Sequence, residues 1–323
     1  MEFFKTDKIY DFMGKRFSFL AISILLVLAS LGILATKGLN FGIDFAGGTL
    51  IQVKYEQKAP IDDIRDILRQ KEAFSNASIT EFGSDQEIVI RITSSSNSVA
   101  TDIGDEINTL LKSTGNFEIR RIDMVGAKVG NELREKGIMA LGLSFIMILI
   151  YVSYRFEYRF ALASILALVH DIIIALGAIS LFNVEVNLDI LAALLTLLGY
   201  SLNDTIIIFD RIREGLQTSK EEKLEDVVND SVSKTLSRTT LTSLTTFFVV
   251  VTLYMFGSEI IHGFAFTLLV GIVIGTYSSI FIASTFLVQL RFSIDNFRAK
   301  EAEKVKRQKE KEKMRAMYEQ GTI

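Results

Sequence analysis

Long apolar runs divide this chain. Residues 17–36 carry no charge over twenty positions, and a helix of that length rises about 30 Å, the thickness of a bilayer's hydrocarbon core. Five more apolar runs follow, at 138–154, 160–182, 188–209, 239–256 and 264–290. The pattern predicts an α-helical polytopic membrane protein with six transmembrane helices. The first run exceeds the apolar stretch of a cleaved signal, about 7–15 residues, so it reads as a retained span.

Between spans one and two the period changes. Residues 49–55 alternate as a strand does, with Leu50, Gln52 and Lys54 opposite Ile51, Val53 and Tyr55. Pro60 opens a helical pattern with Ile61, Ile64, Ile67 and Leu68 on one face and Asp62 and Asp63 in its first turn. Ser78–Phe82 and residues 87–92 read as strands joined by a turn at Gly83, Ser84 and Asp85. A linker at 93–98 leads into a helix carrying Val99, Ile103, Ile107, Leu110 and Leu111, and a strand at 117–122 closes the set. The order βαββαβ predicts a small α+β ferredoxin-like domain, with helices on one sheet face and the other left for a partner.

Charge then orients the spans. The chain is 49% hydrophobic yet 23% charged, so the two populations must be segregated. Lys5, Lys8, Lys15 and Arg16 precede span one, and Arg155, Arg159, Arg211, Arg213, Lys220, Lys223 and Lys234 fall on the same side. The turns at 183–187 and 257–263 have no Lys or Arg. By the positive-inside rule both termini are expected in the cytoplasm and the ferredoxin-like domain outside the cytoplasmic (inner) membrane. The expected divisions are 1–36 for the N-terminus and span one, 37–135 for the outer domain, 136–290 for spans two to six with a cytoplasmic loop at 210–238, and 291–323 for a charged tail. Cysteine is absent, which excludes thiol chemistry and cysteine metal ligation. No nucleophile motif, nucleotide loop or metal cluster is visible, so neither an enzyme nor a cofactor is expected.

The chemistry is therefore sought in the bilayer. Thr196, Tyr200, Asn203 and Asp204 recur at helical spacing in span four as one polar stripe facing other helices. A carboxylate at membrane depth is costly and usually serves ion or proton traffic. Span five has its own stripe of Thr235, Arg238, Thr239, Thr242, Thr245 and Thr246. The topology puts Asp204 and Arg238 at similar depth, where they pair if their helices are neighbours. Blander readings stand beside these: Arg238 as a boundary residue reaching lipid phosphate, and Asp204 as a structural acceptor for the threonines. His170 and Asp171, in mid-span three, are either part of the same relay or a self-satisfied polar pair. His262 reads as a surface residue, and Gly271 with Gly275 as a close-packing notch.

Two surface segments remain. Phe41-Gly-Ile-Asp44-Phe-Ala-Gly47-Gly48 precedes a strand, whereas a phosphate loop needs a helix after it, so local physics favours a tight re-entry of the chain. Ser219-Lys-Glu-Glu222 is a capping box for an amphipathic helix with Leu224, Val227, Val228, Ser231 and Val232 on one side, lying at the membrane or against a partner. The tail interleaves Lys and Arg with Glu and reads as a solvated helix or extension, with attraction to anionic membrane lipid as the sharper reading.

Taken together, these residues resemble the SecF branch of the bacterial SecD/SecF protein-export family, within the proton-driven resistance-nodulation-division superfamily. The resemblance rests on the 41–48 segment, on Val125-Gly-Ala-Lys-Val-Gly-Asn-Glu-Leu-Arg-Glu-Lys-Gly137, on His170-Asp171, on Gly199-Tyr-Ser-Leu-Asn-Asp-Thr205, on Phe209-Asp-Arg-Ile-Arg-Glu214 and on Leu236-Ser-Arg-Thr239. It implies a twelve-span complex with SecD that binds the SecYEG translocon and its associated small membrane proteins and helps draw unfolded preproteins outward on the proton-motive force. It also implies that Asp204 and Arg238 form the proton path, with Asn203 and Thr239 supporting and His170 and Asp171 as further members. Asp44, Gly47, Gly48, Gly199 and Tyr200 belong to the structural motifs, and nothing points to nucleic acid. The alternatives are a small-molecule exporter of the same superfamily, a passive translocon scaffold, and an intramembrane aspartyl protease built on Asp171 and Asp204, which lacks the expected Gly-x-Gly-Asp pattern.

Overall fold

The computed structural model describes residues 8–75, 77–92, 100–218, 223–290, 292 and 294–319. Along the chain, α1 (Arg16–Lys37) leads through β1 (Asn40–Phe41) and a one-turn α2 (Ile43–Ala46) into a folded domain. That domain comprises β2 (Gly48–Tyr55), α3 (Ile61–Arg69), β3 (Ser78–Phe82), β4 (Ser84–Ile92), α4 (Ala100–Leu111) and β5 (Phe117–Val125). The bundle follows as α5 (Ala127–Arg155), α6 (Tyr158–Leu181), a short β6 (Glu185–Val186), α7 (Leu188–Thr218), α8 (Leu224–Phe256) and α9 (Glu259–Tyr277). A π-helical segment, Ser278–Ala283, carries α9 into α10 (Ser284–Gln289), and α11 (Ile294–Glu319) forms the tail. Six of these helical stretches are long and apolar enough to cross a membrane, as the hydrophobic runs predict.

The small domain has the expected architecture. Its four strands run in the order β3-β4-β2-β5 with every neighbour antiparallel, the split βαβ arrangement. Alternation works as read: Ile51, Val53 and Tyr55 are buried while Leu50, Gln52 and Lys54 face the other way. Ile64 and Leu68 of α3 and Ile107 and Leu111 of α4 close the core over Ile51, Ile88 and Ile90. Truncating one of these fully buried isoleucines to alanine removes about 2–5 kcal/mol. The opposite sheet face, with Leu50, Gln52 and Arg91, looks across a cleft of about 860 Å³ to the ends of the bundle helices, where Phe182, Tyr254 and His262 stand. His262 faces Glu259 at 3.3 Å and stacks on Tyr254.

The 41–48 segment is the joint between domain and bundle, a re-entry of the chain as local physics favours. β1 pairs in parallel with β6, and Gly42 N donates to the Val186 carbonyl at 2.8 Å. Asp44 Oδ2 accepts from Leu188 N at 3.0 Å and so caps the start of α7. Gly47 has φ +75°, and a Cβ there would lie 2.7 Å from the Ala127 Cα. Only glycine allows α2 to sit this close to the first turn of α5. Arg134 of α5 lies over the Phe41 ring at 4.7 Å. Arg91 of β4 forms an ion pair with Glu185 of β6, tying the sheet directly to the α6–α7 connection.

Some elements run further than the hydrophobic pattern suggests. α5 begins at Ala127, inside the stretch read as polar insert. The amphipathic helix read after 222 and span five are one helix, α8, with no glycine or proline from 224 to 256 to break it. Its face of Leu224, Val227, Val228 and Val232 packs against Ile212 and Leu216 of α7, rather than against lipid or a partner. Asn229 of α8 accepts from the backbone N–H groups of Phe12 and Met13, both at 2.9 Å, and so anchors the approach to α1. The linker at 93–98 and the capping box at 219–222 lie outside the described residues. α11 is a charged helix, with Arg307 and Glu303 paired at 2.8 Å one turn apart.

Candidate functional site

α7 is the axis of the polar interior. One face buries Ser201, Asp204 and Thr205, while Thr196, Gly199 and Asn203 are exposed on another. The stripe read from the sequence therefore splits. At 100° per residue, Asp204 turns into the bundle while Asn203 remains on the bare face. Asp204 is 1% exposed. Its Oδ2 accepts from Ser243 Oγ of α8 at 3.1 Å, and Thr276 Oγ1 of α9 lies 2.8 Å beyond that serine. Its Oδ1 has no hydrogen-bond partner among the described residues. The carboxylate thus sits where α7, α8 and α9 meet, and the Asn203 amide lies nearby.

The expected pairing with Arg238 does not form within the chain. Arg238 is exposed, and Ser243 takes its place against the acid. Helical geometry gives the reason: Arg238 lies five residues before Ser243, about 7.5 Å along α8 and about 140° round it. Thr239, one turn from Ser243, is fully buried, with a hydroxyl that has no partner among the described residues. The other threonines of the span-five stripe bond backbone carbonyls of their own helix: Thr235 to Ser231, Thr242 to Arg238, and Thr245 and Thr246 to Thr242. They do not reach Asp204. The hydroxyls that matter there, Ser243 and Thr276, are not in the stripe the sequence suggested.

A second polar cluster lies across α7. Asp171 of α6 is also 1% exposed. It accepts from Ser201 Oγ of α7 at 2.6 Å and from Ser278 Oγ at 2.8 Å, and it meets His170 Nδ1 at 2.9 Å. Thr205 and Ser279 exchange a hydrogen bond at 2.9 Å beside it. Ser278 and Ser279 open the π-helical segment, the kind of irregularity that recurs at functional sites. Ser201, Ser278 and Ser279 escaped the sequence reading because their partners come from other helices; lone serines in apolar runs are ordinary helix contacts.

Close packing holds these helices in register. A Cβ on Gly271 would lie 2.5 Å from a Leu197 methyl, and one on Gly275 would lie 3.1 Å from the Ser201 Cβ. The Gly271/Gly275 notch thus seats α9 on α7 between the two acids. Tyr200 is half-buried beside Phe247 and Val250, with its hydroxyl unpartnered among the described residues. Gly199 opens onto empty space.

Comparison with known proteins gives a consistent answer. The C-terminal part of the protein export membrane protein SecD/SecF family matches residues 106–293, and the SecD/SecF GG motif matches residues 32–59. Protein translocase subunit SecF of Helicobacter pylori is 47% identical over 323 residues, all of both chains. SecF of Vibrio alginolyticus is 45% identical over 93% of this chain and 96% of its own, and that of Escherichia coli O157:H7 is 39% identical over 92% and 93%. The solved SecDF of Thermus thermophilus, a translocon-associated membrane protein, superposes with a TM-score of 0.81 at 35% identity, covering 88% of this chain and 39% of that one. SecDF in a super-membrane-facing form gives 0.66 at 34% identity over 92% and 40%. The present chain thus spans about two fifths of each solved SecDF chain. With the fold and both family matches in agreement, the chain belongs to the SecF branch of the SecD/SecF family of protein-export membrane proteins.

Proposed function

We propose that this chain is a transport subunit that works beside a SecD partner at the SecYEG translocon, and that it uses the proton gradient to promote late-stage export of preproteins across the cytoplasmic membrane. The observation that carries the reading is the Asp204 carboxylate, buried at a three-helix junction with one oxygen bonded to Ser243 and the other unpartnered among the described residues. Such a group is expensive in a bilayer and has room for a proton. The exposure of Thr196, Gly199 and Asn203 on α7 and of Arg238 on α8 supports a further subunit, because a guanidinium on a membrane-spanning helix needs an anion or water. SecD would cover these positions, supplying what the present chain lacks relative to the longer SecDF structures. The basic loops orient both termini to the cytoplasm and the ferredoxin-like domain to the outside.

In this reading, protonation of Asp204 weakens its hold on Ser243 and lets α7 and α8 repack. The domain follows through the joint at Asp44 and Gly47, alternately holding and releasing an emerging chain. One charge crossing 100 mV supplies about 2.3 kcal/mol, roughly a 50-fold shift between two states. The test is Asp204→Asn in vesicles containing the SecD partner and the translocon. Gradient-dependent export is expected to fall at least tenfold with the complex intact. Full gradient-dependent stimulation in that variant would refute the proposal.

A further inference from the structure

His170 holds an orphaned nitrogen midway along α6, one of the helices long and apolar enough to cross a membrane. Its Nδ1 lies 2.9 Å from Asp171 Oδ1, while Ser201 and Ser278 both donate to Asp171 Oδ2. Three donors satisfy an ionised carboxylate. Nδ1 faces an acceptor and so carries the hydrogen, which leaves Nε2 of the neutral imidazole as a bare lone pair. The side chain is 7% exposed, and Nε2 has no partner among the described residues. A buried, unpaired polar atom of this kind calls for a reason.

We propose that His170 Nε2 is a proton-binding site, with Asp171 as its fixed counter-charge. The balance is simple. The deprotonated pair carries one negative charge; a proton entering on the Nε2 lone pair makes it neutral overall, and no bond breaks. The ligand is a proton rather than a hard cation. The oxygens that converge here are those of Asp171, Ser201 and Ser278, beside an imidazole, whereas hard divalent cations take about six oxygen ligands.

Few other charges face the site. On α9, Tyr277 stacks on the imidazole at 6.4 Å and 29°. On α7, Asp204 bonds across to α8, Tyr200 packs beside Phe247, and the other acids lie near its ends, at Asp189 and from Asp210 onward. α1 carries charge only at its terminal Arg16 and Lys37, α5 only in its first ten residues and at Arg155, and α10 none. Two tyrosines of α5, Tyr151 and Tyr154, lie in its final turns.

The site is wired to three helices. Ser201 belongs to α7, and Ser278 begins the π-helical segment. The Tyr277 hydroxyl donates to the Phe19 carbonyl of α1 at 2.8 Å and meets Ser23 Oγ at 3.1 Å. A charge appearing on His170 changes the load on all of these contacts. The inference borrows from the proposed function only what the proton does, not where it binds.

The chain has two histidines, so His262→Gln isolates the signal. The test is solid-state NMR of the full chain carrying ¹⁵N-histidine in lipid bilayers, titrated from pH 5 to 9. One protonated and one bare ring nitrogen are expected at high pH, and two protonated nitrogens at low pH. Asp171→Asn is expected to move the midpoint by at least one pH unit, a tenfold change in proton affinity. An imidazole fixed in one state across the range, or a midpoint unmoved in Asp171→Asn, overturns the site. Should that variant not insert, Ser201→Ala and Ser278→Ala each remove one donor, and midpoints unmoved in both overturn the counter-charge. Raising sodium at constant pH should leave the spectrum unchanged; displacement of the proton by sodium overturns the choice of ligand. Loss of export in Asp204→Asn says nothing about this titration, and a failed titration leaves Asp204 in place.

Discussion

Replacing Arg91 with Met should loosen the small domain from the bundle far more than its single ion pair suggests. Arg91 and Glu185 are only 23% and 21% exposed in their side chains. Breaking a fully buried pair costs about 3–5 kcal/mol, and an exposed pair contributes about 0–1. For this partly buried pair we take about 2 kcal/mol, roughly a 30-fold rise in the opened population. Glu185 would be left facing Asp44 with no cation, beside the close backbone of Gly42. Hydrogen exchange reads the opening directly. The Gly42 and Leu188 amides, bonded to Val186 and Asp44, should exchange about 30-fold faster, while Ile90 in the domain core serves as an unchanged internal standard. Burial lifts the Glu185 carboxyl above its ordinary value, with Arg91 opposing and Asp44 adding to the rise. The docked state therefore binds that proton more readily than the opened one. Its protection should be greatest below the ordinary carboxyl value, decline as pH rises from there through the raised value, and level off above it. Arg91→Met should accentuate the decline, and Glu185→Gln in the same chain should restore most of the protection. Equal protection of Gly42 and Leu188 in wild type and Arg91→Met would refute the reasoning.

Two glycine substitutions test the joint and the bundle. Gly47→Ala should cost more than about 2 kcal/mol, because a left-handed backbone conformation and a clash with the Ala127 backbone add together; Gly126→Ala, with nothing within 4 Å, is its neutral control in a thermal melt. Gly271→Val should wedge α9 off Leu197 and lower stability by about 1–3 kcal/mol, whereas Gly142→Ala, also facing open space, should leave the melt unchanged.

The sequence carried the spans and the sheet well because each rests on local periodicity. Ile51, Val53 and Tyr55 alternate with no knowledge of the rest of the chain, and twenty uncharged residues declare a span by length alone. Boundaries were harder. The polar residues of 231–246 look like the edge of a membrane segment, yet nothing in 224–256 stops a helix, and the missing glycine and proline were the available signal. The two-residue pairing of β1 with β6 is too short to leave a pattern. Within the site, Asp204 and Asp171 were visible as acids in apolar runs. So was the His170 neighbour of Asp171, but the serine partners were not, since Ser243, Ser201 and Ser278 are chosen by how four helices cross. Arg238 shows the same limit from the other side: depth along a helix is readable from the chain, but the direction a side chain faces depends on which neighbours cover it.

The unbroken α8 has a mechanical meaning. A stiff rod pivoting at Ser243 swings its far end, and Asn229 lies fourteen residues away, about 21 Å at helical rise. A tilt of about 5° there would carry Asn229 through about 2 Å. Because Asn229 grips the backbone at Phe12 and Met13, that swing would tug on the entrance to α1. Events beside one buried acid would in this way be transmitted to the first turns of the polypeptide with no intervening hinge.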